Sequence, residues 1–155
     1  FPAYLIGGGQ ESNFRSGTEG TPAIFGFAAA CAAVSATFKE DHARETALIA
    51  SLVEKISQLE GMVINGTHEA PHVLSLSIPG VPTQNTINIL QDHGICVSAG
   101  SACAKGHRSH VLEAMNLSPE MMDGSFRVSI CRDTTEAELD KLVSVIREEI
   151  LPRAR

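Results

Sequence analysis

The sequence predicts an α+β domain with a small, mostly antiparallel sheet and helices packed on one of its faces. Three observations lead there. Leu74, Leu76 and Ile78 alternate with Ser75 and Ser77, the period of a strand with one buried face. Leu48, Leu52, Ile56 and Leu59 recur at the spacing of one helix face. A final run to Ile150 opens with Thr134, Thr135, Glu136 and Glu138, where a hydroxyl cap and first-turn acids complement the helix dipole.

Taken in order, residues 1–20 are irregular, with Gly7-Gly8-Gly9 and Ser16-Gly17-Thr18 as turn signals. Thr21-Pro22 then opens a helix, with Thr as N-cap and Pro in the first turn. That helix runs through Ala23 to about Thr37. The later apolar repeat leaves open a continuation to Leu59, where Gly61 supplies the stop. Strands are expected over Met62–Gly66, Val73–Ile78, Ile95–Ser98 and Phe126–Cys131. Pro79-Gly80-Val81-Pro82 breaks the chain before a short helix from Thr83 to Asp92, and another helix is expected from Ser109 to Met115.

The chain has 155 residues, enough for one domain with its own core. A net charge of −6 argues against a nucleic-acid surface, which needs clustered Lys and Arg. No run approaches the roughly 18 apolar residues of a membrane span. The longest apolar stretch, Ala23 to Val34, is rich in Ala and Gly and reads as a tightly packed helix. Four cysteines separated by 65, 7 and 28 residues match no zinc-ligand spacing, and no metal site is expected among them or the six histidines. Cys31, Cys96 and Cys131 read as small buried hydrophobes, and a reducing cytoplasm is the default.

Cys103 differs from the other three. It sits in Val97-Ser98-Ala99-Gly100-Ser101-Ala102-Cys103, a stretch of small residues, with Lys105, His107 and Arg108 just after it. Such a loop leaves a sulfur uncovered, and neighbouring positive charge favours the thiolate, only about 3% populated at pH 7 for an unperturbed thiol. Arg127 lies on a strand opposite the face of Phe126, Val128 and Ile130, so its guanidinium stands on the polar side.

Gly100-Ser101-Ala102-Cys103, followed by Ser109-His110-Val111-Leu112-Glu113-Ala114-Met115, resembles the pyridoxal-phosphate-dependent cysteine desulfurases, a branch of the class V aminotransferases. Gly7-Gly8-Gly9-Gln10-Glu11 with Arg15-Ser16-Gly17-Thr18-Glu19, and Phe126-Arg127-Val128-Ser129 with Thr134-Thr135-Glu136, resemble two further segments of that family, in family order. The resemblance runs from about residue 5 to the C-terminus.

The resemblance implies a division: residues 1–37 as a remnant of the large cofactor-binding domain and dimer contact, and 38–155 as the C-terminal small domain with the cysteine loop. It implies that Cys103 accepts sulfur from L-cysteine, leaving alanine and a persulfide for an acceptor or scaffold protein in iron–sulfur or thiocofactor assembly. It implies that Arg127 binds the substrate carboxylate by a two-pronged contact that lysine cannot copy. Thr18 would bind the phosphate of the cofactor held by the other subunit of a homodimer. Gln10, Glu11 and Arg15 would organise that segment, and Arg132 is the weaker arginine candidate. No His-Lys pair occurs, and none of Lys39, Lys55, Lys105 or Lys141 sits where the family's cofactor lysine lies. The chain therefore reads as the C-terminal part of a cytoplasmic enzyme, binding no cofactor covalently by itself and needing neither nucleic acid nor membrane.

The stretch from Cys103 to Ser109 is shorter than in many members, and a shorter tether reaches less far at about 3.3–3.6 Å per residue. Two other readings stay open: a selenocysteine lyase-type relative with the same constellation, or a stand-alone thiol or sulfur-carrier module using Cys103 without a cofactor.

Overall fold

A computed structural model describes residues 2–67, 69–100 and 108–154. Cys103, Lys105 and His107 lie outside them. The chain divides into two compact units, 1–39 and 40–155.

The second unit carries the sheet. Strands β1 (Val63–Asn65), β2 (Val73–Ser77) and β3 (Ser125–Ser129) lie in the order β1-β2-β3, all antiparallel. Ile64 pairs with Leu76 and Leu76 with Phe126, while Leu74 pairs with Val128, so one face is continuously apolar. The opposite face carries Asn65, Ser75 and Arg127 in one row and Ser77 with Ser125 in the next. The period of two thus separates a packing face from a polar one.

Four helical segments supply the core that covers the apolar face. Helix α1 (Thr21–Ser57) contributes Leu48, Ile49, Leu52 and Ile56, and α2 (Thr83–Asp92) contributes Ile89 and Leu90. The last helix, α5 (Glu136–Val145), contributes Leu139, Leu142 and Val143, and the π turn Ile146–Ile150 that follows it adds Ile146 and Ile150. Thr135 caps α5, accepting from the Glu138 N–H, while the Glu138 carboxylate accepts from the Thr135 N–H. This reciprocal cap holds the Glu138 carboxyl below the usual carboxylate range, chiefly through the Thr135 backbone donor. Arg44 of α1 donates to the carbonyls of Cys131, Arg132 and Thr134, stapling α1 to the turn between β3 and α5.

Four expectations need correcting. Ile95–Ser98 is not a strand: Ser98 alone pairs, with Arg127 of β3. The Ile95 N–H is already committed to Leu90 O at the end of α2, so the segment cannot ladder along β3. Cys131 falls beyond β3, in a turn where its N–H donates to Thr134 Oγ1. Cys31, Cys96 and Cys131 are all exposed, not buried. Finally, two short helices occupy the stretch before β3: α3 (His110–Ala114) and α4 (Pro119–Asp123), the second with Ser118 as N-cap and Pro119 at its first position. Only the first of these was expected.

The first unit is built differently. Leu5 and Arg15 form a parallel bridge, with the Ser16 N–H on Leu5 O. Between them Glu11, Ser12 and Asn13 hold left-handed φ values of 51°, 55° and 68°. Three successive non-glycine residues there are costly, at about 1–2 kcal/mol each. The first part of α1 is not tightly packed as expected: Ile24, Phe25, Phe27 and Val34 are all more than half exposed. Helix α1 is also long and apolar enough, by length and composition, to cross a membrane. The core helix of a soluble protein passes the same test. Its small Ala and Gly side chains hid this from a count of large apolar residues.

Candidate functional site

The polar row of the sheet forms the floor of a recess of about 250 Å³ in the second unit. Asn65, Ser75 and Arg127 stand side by side on it because they are direct cross-strand partners. Neighbouring strands lie about 4.8 Å apart, so the outer two are roughly 10 Å from one another. Leu112 and Met115 of the α3 segment form an apolar wall. Gly66, at φ +78°, leaves room for Met115: a Cβ there would come within 3.2 Å of Met115 Cε.

Asn65 is 6% exposed and donates through Nδ2 to Ser75 Oγ (3.2 Å) and Ser77 Oγ (2.8 Å). Its Oδ1 is buried with no partner among the described residues. The Arg127 side chain is exposed and has no hydrogen bond or ion pair among the described residues. Its backbone is fixed on both edges: Ser75 pairs on one side, and on the other the Arg127 N–H donates to Ser98 O (2.8 Å) while the Ser98 N–H donates to Arg127 O (3.1 Å). A rigidly based guanidinium with no internal partner can bind an anion by two parallel hydrogen bonds.

The residues flanking the Cys103 stretch also line this recess. Ala99 and Gly100 precede it, and Ser109 and His110 follow it. Arg108 forks onto the Asp123 carboxylate, Nε to Oδ1 at 2.8 Å and Nη2 to Oδ2 at 2.7 Å. The Arg108 fork holds the Asp123 carboxyl below its usual range, and Arg108 is itself raised. Arg108 is therefore a partnered cation.

Thr18 belongs to the first unit and is exposed on irregular backbone after Gly17, whose φ is +112°. Gln10 Oε1 accepts from the Gly17 N–H (3.4 Å), Arg15 donates to Gly17 O (3.2 Å) and Ser16 Oγ donates to Gly8 O (3.0 Å). These bonds shape the Ser16-Gly17-Thr18 turn. Arg132, the weaker arginine candidate, is exposed beside Asp133 and outside the recess.

The class-V aminotransferase family model matches residues 5–142. The chain belongs to that family. Among class-V relatives, it is 36% identical to a cysteine desulfurase of Nostoc sp., over all of this chain and 40% of that protein. It is also 36% identical to the cysteine desulfurase IscS of Vibrio atlanticus, over 94% of this chain and 36% of that one. A solved structure, the NifS-like protein from Rickettsia africae, superposes with a TM-score of 0.81 at 30% identity, covering 95% of this chain and 39% of that one. The chain thus spans about 40% of the length of the curated relatives it matches.

Within the class-V frame, sequence reasoning singled out Arg127 and missed its neighbours Asn65 and Ser75. Two signals were available: Asn65 precedes a glycine at a strand end, and Ser75 lies on the polar phase of β2.

Proposed function

We propose that this chain forms the substrate-recognition and sulfur-accepting part of a cysteine desulfurase. The observation that carries this reading is the recess itself. Arg127, whose guanidinium has no partner among the described residues, lines the same recess as the two flanks of the Cys103 stretch. Arg127 holds the carboxylate of L-cysteine. The sulfur of cysteine passes to the thiol of Cys103, so that cysteine and thiol become alanine and a persulfide, with no atom gained or lost. The persulfide then serves an acceptor protein. A stand-alone carrier would have no use for a carboxylate-binding arginine.

The family's cofactor is pyridoxal phosphate, and the described residues do not fit its covalent attachment. Lys55 is engaged by Glu136 and Asp140, and Lys141 donates to His93 O, while no described lysine lines the recess. The chain's own share is the thiol, the carboxylate arm and the Thr18 turn, which we assign to a phosphate on another subunit of a homodimer. The class-V match runs through the exposed apolar part of α1, and we read that face as one that meets protein in a cytoplasmic enzyme, with residues 1–37 belonging to the cofactor-binding side.

The test uses an enzyme-length protein carrying this chain. Arg127→Ala should raise KM for cysteine about 10- to 100-fold, the loss expected for a charge-assisted contact of about 1.5–3 kcal/mol. Arg132→Ala should leave it unchanged, and Cys103→Ser should abolish persulfide. Unaltered kinetics in Arg127→Ala together with a defect in Arg132→Ala would show that the other arginine binds substrate.

A further inference from the structure

Two serines of the sheet line the recess, Ser75 and Ser125, and they differ in what their hydroxyls can offer. Ser125 Oγ donates to Met122 O (2.9 Å), so its proton is committed. Ser75 Oγ accepts from Asn65 Nδ2 (3.2 Å) and donates to no group among the described residues. We propose that the Ser75 hydroxyl is a further donor to the carboxylate held by Arg127, and that Asn65 is the positioning residue that turns its proton toward the recess. The proposal rests on the reading of Arg127 as the carboxylate-binding residue.

Register brings the two donors together. Ser75 and Arg127 are direct cross-strand partners. In an antiparallel ladder each residue turns its N–H and C=O to one side, and Arg127 gives both to Ser98 on its outer edge. Ser75 and Arg127 therefore form a non-hydrogen-bonded pair, the kind with Cα atoms about 4.5 Å apart and side chains at their closest. An ionised carboxylate offers about four acceptor positions, of which an arginine fork uses two. A hydroxyl rooted beside the arginine can take a third.

Asn65 sets the direction of that hydroxyl. Its side chain is buried, and Nδ2 donates to Ser77 Oγ (2.8 Å) as well as to Ser75 Oγ. Oδ1 is left buried without a partner among the described residues. An orphaned buried carbonyl is costly, and the same amide turned over would satisfy it by drawing in the two serine protons. In the arrangement observed, the amide presents its donor to Ser75 instead, which leaves the Ser75 proton for the recess. Ser77 is fully buried, so Ser75, which is half-buried, is the one of the two that can reach a ligand.

The test reads carboxylate binding without sulfur chemistry, in the enzyme-length protein. The probes are propionate, a short-chain carboxylate with no amine or thiol, and propionamide, its neutral counterpart, each titrated by saturation-transfer NMR. Ser75→Ala should raise the dissociation constant for propionate about 10-fold, as loss of one hydrogen bond to a charged group does, and leave that for propionamide unchanged. Ser75→Thr keeps the hydroxyl and should bind propionate within about twofold of wild type. Asn65→Ala should weaken propionate binding by itself but add nothing in the Ser75→Ala background, because it acts through that hydroxyl. A thermal melt checks each variant, and Ser75→Ala, the loss of one oxygen at a half-buried site, decides the proposal by itself if Asn65→Ala does not fold. An unchanged propionate constant in Ser75→Ala overturns the proposal. So does an equal loss for propionamide, or a loss seen only in Ser109→Ala, the third serine of the lining. A further loss from Asn65→Ala on top of Ser75→Ala overturns the positioning role. The two readings fail separately. Arg127→Ala that binds propionate like wild type would sink the carboxylate reading of Arg127, whereas a loss in Arg127→Ala beside an unresponsive Ser75→Ala would sink the hydroxyl alone.

Discussion

Helix α1 contains two regions of opposite fate, and the more apolar of them is the exposed one. Phe25 and Phe27 near its start are 75% and 73% exposed, whereas Leu52 and Ile56 near its end are 0% and 1% exposed. The later part repeats its apolar residues on one stripe, and the second unit supplies a sheet face and α5 to cover it. The earlier part is apolar or small nearly all round, the pattern of a helix with partners on several sides. Burial is thus a property of partners and not of composition. An apolar run read without its surroundings says only that something should cover it.

The comparison can be broken by substitution. The largest effect should come from Gly124→Val in the second unit, because the new side chain meets backbone at Ile78 that cannot move aside. The chain should lose most of its stability or fail to fold, measured by urea denaturation. Leu52→Ala should cost about 2–5 kcal/mol by opening a hole in the core. Phe27→Ala on the same helix should change stability by less than about 0.5 kcal/mol, as for an exposed site. Equal losses in these two variants would mean that the first unit is packed in solution.

The exposed face should matter in assembly instead. Wild-type chain at about 100 µM should exceed monomer mass in light scattering, since contiguous exposed apolar surface beyond a few hundred Å² recruits partners. Phe25→Ser with Phe27→Ser should return it toward monomer. A strictly monomeric wild type would show that these side chains are covered within one chain.

A small, pH-dependent effect concerns the cap of α5. Glu138→Ala should lower stability slightly at neutral pH, because the Thr135 N–H loses its carboxylate acceptor. The folded carboxyl is lowered, so its contribution is complete above the unfolded value and fades as pH falls through the lower folded value. Wild type and Glu138→Ala should therefore converge in stability only in acid, below the ordinary glutamate range.

What could be read without coordinates follows the same division. The alternation of Leu74, Leu76 and Ile78 named β2, and Thr134 or Thr135 followed by Glu136 and Glu138 named the start of α5, because period and cap chemistry are local. The polar-side placement of Arg127 was legible because its neighbours Phe126 and Val128 declared the phase of the strand, while its role rested on the family resemblance. Ile95–Ser98 misled: its composition suits a strand, but the Ile95 N–H is taken by the end of α2, a contact local propensity does not contain. Asn65 escaped notice because its interest lies in a register, beside Ser75 and Ser77, that forms only when β1 pairs with β2. The three cysteines were misjudged for a similar reason, since apolar neighbours in sequence did not translate into cover in space.

The backbone pair between Ser98 and Arg127 has a further consequence. It ties the rim of the recess at Ala99 and Gly100 to the strand that carries Arg127. Thermal motion of β3 then carries rim and guanidinium together, as two needles mounted on one spindle. A strand at the edge of a small sheet, which would otherwise be a noisy mounting, can in this way keep one side of a recess in register without being rigid.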